Sequence, residues 1–253
     1  MKRWPYPRIF AHRGGGILAP ENTLAAFRLG QSLGFAAHEF DVKLSKDGVA
    51  ILLHDPTLER TTNGKGRAAD FTWEELRALD AGGWHSEAFR GEPIPSFEDV
   101  ARLLRSKGTA ANVEIKPTPG EERETGERVA KDAARLWKDA RVPPLLSSFS
   151  FEALLAAKAA APELPRAWLA SRFAEEDWDR IAELDAVSVH TNHTKLDLAN
   201  VERLHAKGYR VLAYTVNDVE AADRLFAAGI DGVFTDNLRE FAVRFPGAIR
   251  EPG

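Results

Sequence analysis

The chain has 253 residues, the size of one large α/β domain, and its 44% hydrophobic and 28% charged residues suggest neither a disordered chain nor a membrane protein. Its 34 basic and 38 acidic residues leave a formal net charge of −4, and no basic run marks a nucleic-acid or anionic-membrane surface. The lack of cysteine excludes disulfides, Cys-ligated zinc and thiolate chemistry.

Short apolar runs alternate with segments of helical periodicity along the whole chain. Apolar residues recur at helical spacing at Leu24, Phe27 and Leu33, and again at Val201 and Leu204. This alternation indicates βαβ units and a parallel sheet. Eight candidate strands favour one closed TIM (β/α)8 barrel domain over 1–253. The candidate strands are 8–12, 37–42, 111–116, 145–148, 166–169, 186–190, 210–215 and 231–235.

One segment after the second strand breaks this rhythm. The run 49–53 follows Lys46-Asp47-Gly48, a turn signal, and is interpreted as a strand that returns as a hairpin. The stretch that follows, about 55–95, is rich in glycine, tryptophan and polar residues. We expect it to form a small insertion in the barrel.

Carboxylates occur on strands that should be almost entirely apolar. The strand period of two places Glu39 and Asp41 on one face, and it places Asn112, Glu114 and Lys116 together on another strand. Burying unpaired carboxylates costs several kcal/mol, so three of them facing inward imply a bound cation, although salt bridges to Lys116 or an arginine would also serve. An all-oxygen donor set favours Mg²⁺ or Ca²⁺.

Two histidines lie at strand ends. His12 closes the first strand before Arg13 and a glycine turn, and His54 ends the hairpin, so both can face one cleft as general base and general acid. Ser148, at the end of the fourth strand, is a candidate for lining the site. No Gly-x-Ser-x-Gly motif supports a serine nucleophile. The remaining candidates, His38, His85 and His205, are interpreted as structural.

Taken in order, these short motifs resemble the glycerophosphodiester phosphodiesterase family over nearly the whole chain. Three further segments are most similar to the cytosolic bacterial branch associated with glycerol 3-phosphate uptake: Trp4-Pro-Tyr-Pro, Asp80-Ala-Gly-Gly-Trp84 and Val189-His-Thr-Asn-His193. The family motifs are His12-Arg13-Gly14, Pro20-Glu21-Asn22-Thr23, Glu39-x-Asp41, Lys46-Asp47-Gly48, His54-Asp55, Glu114-Ile115-Lys116, Leu145-Leu-Ser-Ser-Phe149, Tyr214-Thr-Val-Asn217 and Thr235-Asp236.

The resemblance implies a TIM barrel with a small insertion, and hydrolysis of deacylated phospholipid head groups to sn-glycerol 3-phosphate and an alcohol. This sequence departs from the family pattern at His38, where an aliphatic residue is expected. The strand period turns His38 away from the cleft. By position the resemblance implies a single Mg²⁺ or Ca²⁺ ion on Glu39, Asp41 and Glu114, an acid/base pair of His12 and His54, phosphate contacts from Arg13 and Lys116, and a site lined further by Glu21, Ser148, His190 and Tyr214.

Two other functions are considered beside this one. One is a phospholipase D or C acting on lipid or lysolipid substrates, which would need an apolar or basic rim. The other is a non-catalytic glycerophosphate-binding barrel, which would have no use for an acid/base pair. Because no apolar run approaches 20 residues and no leader-like segment follows Met1, we expect a cytoplasmic protein without stable membrane association or nucleic-acid binding.

Overall fold

The structure, a computed structural model, describes residues 4–251. Within that range eight parallel strands close into a barrel, in which the first strand pairs with both the second and the last. The predicted TIM barrel is therefore confirmed. The strands are β1 Ile9–Ala11, β2 Ala37–Leu44, β3 Ala50–Leu52, β4 Ala110–Ile115, β5 Leu145–Ser148, β6 Arg166–Ala170, β7 Ser188–Asn192, β8 Arg210–Tyr214 and β9 Gly232–Thr235.

Helices follow the barrel strands and cover their outer faces. Several begin at a side chain that accepts a hydrogen bond from the first helical turn, as Thr23, Ser96, Ser150 and Asp218 do. In the part of the chain described, none of the helices has the length and apolar character to cross a membrane. The helices are α1 Leu24–Ser32, α2 Trp73–Arg77, α3 Phe97–Ser106, α4 Glu122–Leu136, α5 Phe151–Ala160, α6 Asp177–Glu183, α7 Leu198–Ala206, α8 Val219–Ala227 and α9 Leu238–Arg244.

The predicted strands correspond to the observed ones with small shifts at their ends. The strand predicted at 186–190 is Ser188–Asn192, because the chain leaves α6 through Asp185 at φ 48° and the Ala186 N–H still bonds to the carbonyl of Ile181. The predicted hairpin is present as β3, which pairs antiparallel with β2 through Val42 and Leu52.

The inside of the barrel is apolar towards the amino ends of its strands. Tyr6, Phe10, Leu145, Leu212 and Phe234 form a buried cluster there. Full burial of such a side chain stabilises the fold by about 1.5 to 3 kcal/mol, so this cluster contributes strongly to holding the barrel closed. The opposite face, at the carboxyl ends of the strands, is where TIM barrels bind ligands.

The insertion between β3 and α3 has a small apolar cluster of its own, centred on Ile51, Leu58, Leu76 and Ile94. It is attached to the loop after β1, where His85 Nε2 lies 3.0 Å from the carbonyl oxygen of Ile17. The insertion therefore stands at the carboxyl-end face of the barrel, beside the first βα loop.

Candidate active site

A cleft of about 430 Å³ opens at the carboxyl ends of the barrel strands. Its walls combine charged groups from the early strands with polar and aromatic groups from the later ones. The lining residues are His12, Arg13, Glu39, His54, Asn112, Glu114, Lys116, Ser147, Phe149, Leu169, His190, Asn192, His193, Thr194, Tyr214, Thr215 and Phe234.

Three carboxylates meet at one side of this cleft. Glu39 and Asp41 lie on β2, Glu114 lies on β4, and the pairing of Asp41 with Glu114 puts them side by side. One oxygen from each of the three lies within 4.8 Å of the others, and all three residues are buried. The strand period therefore brings together the side chains that the sequence analysis grouped.

Positive side chains balance only part of this negative charge. Lys116 Nζ lies 2.7 Å from Glu114 Oε1 and 3.5 Å from Asp41 Oδ1, and Arg13 Nε lies 3.6 Å from Asp41 Oδ2. Burial opposes the ionisation of Asp41, but the charges of Lys116 and Arg13 outweigh it and hold the Asp41 pKa well below its usual range. For Asp41, therefore, the ion pairs with Lys116 and Arg13 compensate the buried charge without a bound cation.

The two glutamates are less well compensated. Burial, together with the charges of Asp41 and Glu114, raises the pKa of Glu39 to about 8 despite the opposing effect of His12. Burial and the charge of Asp41 raise the pKa of Glu114 to about 7. Two carboxyl groups that resist ionisation beside a third that is ionised form a cluster that a bound divalent cation would relieve. The donor set consists of hard oxygen atoms, which fits Mg²⁺ or Ca²⁺.

His12 is held in place by the carboxylate of the residue that follows the last barrel strand. Its Nδ1 lies 2.7 Å from Asp236 Oδ1, and its Nε2 points towards the carboxylate cluster, 3.7 Å from Glu39 Oε2. Asn217 fixes Asp236 in turn, since it accepts from the Asp236 N–H at 2.7 Å and donates to Oδ2 at 3.2 Å. Burial lowers the pKa of His12, but Glu39 and Asp236 outweigh that effect and raise it above the ordinary value.

The turn after β1 depends on an unusual backbone. Arg13 has φ 48°, which is uncommon for a residue with a side chain, and its N–H donates to Glu39 Oε2 at 3.0 Å. Gly16 has φ 56°, and a Cβ there would lie 2.1 Å from the carbonyl oxygen of Asp236. Only glycine permits this close approach between the first βα loop and the segment that carries Asp236.

His54 is also held by a carboxylate, in this case that of the next residue along the chain. Its Nδ1 lies 2.6 Å from Oδ1 of the adjacent Asp55, and Arg60 holds Asp55 through two hydrogen bonds. Lys43 Nζ donates to the main-chain oxygens of His54 and Asp55 at 3.1 and 2.7 Å and so fixes the end of the hairpin. Burial and the charges of Lys116 and Arg13 lower the pKa of His54, despite the opposing charge of Asp41.

Arg13 and Lys116 present positive charge to the cleft from opposite sides of Asp41. Glu21 orients Arg13, because its Oε1 accepts from an Arg13 guanidinium nitrogen at 2.7 Å. The ammonium of Lys116 lies 5.7 Å from the centre of the Phe149 ring, close enough for a cation–π contact. Both cations are thus available to an anionic ligand in the cleft.

The remaining candidates divide into two groups. His190 and Tyr214 line the cleft, whereas Glu21 is not part of its lining and contacts Arg13 and Arg60. Ser148 requires a correction: its buried hydroxyl donates to the carbonyl of Ile115 at 2.6 Å outside the cleft. The neighbouring Ser147, which pairs with Glu114 in the sheet, lines the cleft instead.

Three histidines expected to be structural have partners elsewhere. His38 is fully buried and bonds to the carbonyl of Gly14, His85 bonds to that of Ile17, and His205 pairs with Asp231.

The sequence analysis missed the carboxylates Asp236 and Asp55 as partners of the two cleft histidines. A usable signal existed for both, since Asp55 follows His54 directly and Asp236 follows the last strand.

Comparisons with known proteins agree over most of the chain. A model of the Glycerophosphoryl diester phosphodiesterase family matches residues 12–240. A glycerophosphodiester phosphodiesterase of Caldanaerobacter subterraneus subsp. tengcongensis is 36% identical over 233 residues, which cover 90% of this chain and 93% of the relative. One of Bacillus subtilis is 30% identical over 243 residues, with coverages of 89% and 82%.

A solved structure extends the likeness to three dimensions. The phosphodiesterase of Oleispira antarctica, in complex with the product sn-glycerol-3-phosphate, is 35% identical and superposes with a TM-score of 0.89. The superposition covers 96% of this chain and 98% of that one. The predicted family and enzyme class are confirmed: the chain belongs to the glycerophosphoryl diester phosphodiesterase family.

Proposed function

We propose that this protein hydrolyses glycerophosphodiesters to sn-glycerol 3-phosphate and an alcohol. The observation that carries the proposal is the convergence of three buried carboxylates, two histidines and two cations on one cleft. The names of the relatives and the product bound to the Oleispira antarctica enzyme agree with it. A cleft that only bound glycerophosphate would not need two histidines, each held by a carboxylate.

The proposal includes one bound divalent ion, Mg²⁺ or Ca²⁺, with Glu39, Asp41 and Glu114 as its ligands. When bound, it would supply positive charge that stabilises the phosphate oxygens during the reaction. Arg13 and Lys116 add to that charge, and the planar guanidinium of Arg13 can contact two phosphate oxygens at once.

The two histidines divide the proton transfers. His12 takes the proton from the attacking hydroxyl through Nε2, because Asp236 occupies Nδ1 and keeps the Nδ1 proton in place. The raised pKa of His12 does not contradict this role, since Glu39 contributes to it and neutralising that carboxylate would lower it. His54, held by Asp55 at the end of the hairpin, protonates the departing alcohol oxygen. The attacking hydroxyl belongs either to water or to the neighbouring glycerol carbon, which would give a cyclic phosphate first.

The test is a product assay on glycerophosphocholine, glycerophosphoethanolamine and glycerophosphoglycerol, with and without excess chelator. We expect sn-glycerol 3-phosphate from all three diesters, loss of activity in chelator, and recovery on adding Mg²⁺ or Ca²⁺. Full activity in chelator would contradict the metal assignment. Binding of the diesters without turnover at any metal concentration would contradict the proposed enzyme and leave a binding protein.

A matched pair of variants tests the ligand set. Glu114→Gln removes one proposed ligand and should weaken the apparent affinity for the metal by at least about 10-fold. Glu152→Gln makes the same chemical change on the exposed side of α5 and should leave that affinity as in the parent. An unchanged metal dependence in Glu114→Gln would remove Glu114 from the ligand set.

A further inference from the structure

We propose that Asn112 and His190 form a hydroxyl-recognition site on the floor of the cleft, which selects diesters whose glycerol carries free hydroxyl groups. The inference rests on the proposed function and adds the residues that would recognise the substrate. Both residues line the cleft, and each has a buried polar atom without a hydrogen-bond partner within residues 4–251.

Asn112 supplies the acceptor of this pair. It lies on β4 two residues before Glu114, so it faces the barrel interior below the carboxylate cluster, and it is only 1% exposed. Its Nδ2 donates to Ser147 Oγ at 3.0 Å. Its Oδ1 has no partner among the residues described. Because buried amide oxygens are nearly always paired in folded proteins, this atom is suited to a ligand that donates a hydrogen bond.

His190 supplies the donor. It lies on β7, is fully buried, and has its Nε2 3.1 Å from Ser188 Oγ. Because the Ser188 hydroxyl has no other acceptor within residues 4–251, we assign it as the donor to Nε2, and this assignment puts the ring proton on Nδ1. Burial lowers the pKa of His190 to about 3, which keeps the ring neutral. The Nδ1–H has no acceptor within the range described.

The pair matches a hydroxyl better than any charged group. A hydroxyl both donates and accepts, whereas a phosphate oxygen only accepts and an ammonium only donates. The floor carries no charge of its own, and just below it the ring of Phe234 lies 5.1 Å from that of His190. Tyr214 is not a competing donor, because its hydroxyl is already bonded to the carbonyl of Ala170 at 3.1 Å. A glycerol unit has two neighbouring free hydroxyls that can satisfy Asn112 and His190.

The test compares glycerophosphocholine with 2-hydroxyethyl phosphocholine, which keeps the phosphate, the choline and the hydroxyl on the neighbouring carbon but lacks the terminal hydroxymethyl group. The quantity measured is the ratio of the two kcat/KM values. We expect the parent enzyme to favour the glycerol diester by about 100-fold or more, because a site built around a substrate hydroxyl discriminates strongly against its absence. Asn112→Leu and His190→Phe should each reduce the ratio about 10- to 100-fold.

A conservative variant separates recognition from structure. The side-chain nitrogen of asparagine can take the place of the Nδ1–H, so His190→Asn should retain much more of the ratio than His190→Phe. Equal losses on both diesters, with the ratio unchanged, would overturn the hydroxyl site. A parent enzyme that hydrolysed both diesters equally well would also overturn it while leaving the proposed function standing. A parent enzyme that hydrolysed neither would overturn the proposed function itself.

Discussion

Replacing Glu39 by Gln should stabilise the protein in the absence of divalent metal and remove its stabilisation by metal. The pKa of Glu39 in the folded protein is about 8, above its ordinary value of 4.5, because the carboxyl is buried beside Asp41 and Glu114. Folding therefore favours the protonated form. The contribution of this group to stability is fully present below pH 4.5 and is lost as the pH rises towards 8.

The size of the effect follows from this shift. Each pH unit over which Glu39 is protonated when folded and ionised when unfolded costs about 1.4 kcal/mol. Between pH 6.5 and 8 the loss is about 2 kcal/mol, which corresponds to a decrease in Tm of about 4 to 8 °C for a chain of this size. Glu114, whose pKa is raised to about 7, acts in the same direction, and so does His12, whose raised pKa is due in part to Glu39. His54, whose pKa is lowered, affects stability below pH 6.5, and Lys43, whose pKa is about 8, affects it above pH 8.

The assay is thermal unfolding followed by circular dichroism at pH 6.5 and 8, in excess chelator and then in excess Mg²⁺ or Ca²⁺. The parent protein should lose Tm with rising pH in chelator, and metal at 100 times its Kd should restore about 2.7 kcal/mol. Glu39→Gln should have a flatter pH dependence and little response to metal, while Glu152→Gln behaves as the parent. A steeper pH dependence in Glu39→Gln, or a full metal response, would refute the reasoning.

Three further outcomes are expected. Arg13→Lys should lower kcat/KM about 10-fold or more, because an ammonium cannot contact two phosphate oxygens in a plane; steady-state kinetics equal to the parent would make Arg13 structural. A diester with a p-nitrophenolate leaving group should rescue His54→Ala far better than His12→Ala, since only the former lacks the proton donor, and equal rescue would contradict that division. Gly16→Ala should lower Tm by several degrees and reduce kcat, because its Cβ would overlap the carbonyl of Asp236; unchanged values would show that the loop adjusts.

The barrel and the carboxylate cluster could be predicted because both depend on local periodicity. Alternating apolar runs specify strands and helices in order, and the period of two puts Glu39 with Asp41 and Asn112 with Glu114 on interior faces. The parallel pairing of β2 with β4 then brings the two sets together. Each step needs only a few consecutive residues, and the topology of a (β/α)8 barrel supplies the rest.

Asp55 directly follows His54, but the pairing of His12 with Asp236 and the orientation of Ser148 depend on contacts that no local pattern encodes. Asp236 reaches His12 only because β9 closes the barrel against β1, across 224 residues of chain. The error at Ser148 concerns the face of a strand of four residues, which is too short for alternation to indicate its orientation. The pairing of Glu114 with Ser147 decides that orientation, and with it which serine faces the cleft.

Three features of the cleft reduce the stability of the fold in the absence of a ligand. The pKa of Glu39 is raised by burial, Arg13 has a left-handed backbone, and Asn112 Oδ1 is without a partner in the described chain. A bound cation and substrate would relieve the first and the last, and their binding would therefore stabilise the folded protein. The apolar cluster around Tyr6, Phe10 and Leu145, towards the amino ends of the strands, offsets that cost, because it holds the strands together without lining the cleft. The layer at the amino ends of the strands therefore stabilises the barrel, and the layer at the carboxyl ends carries the groups proposed for catalysis.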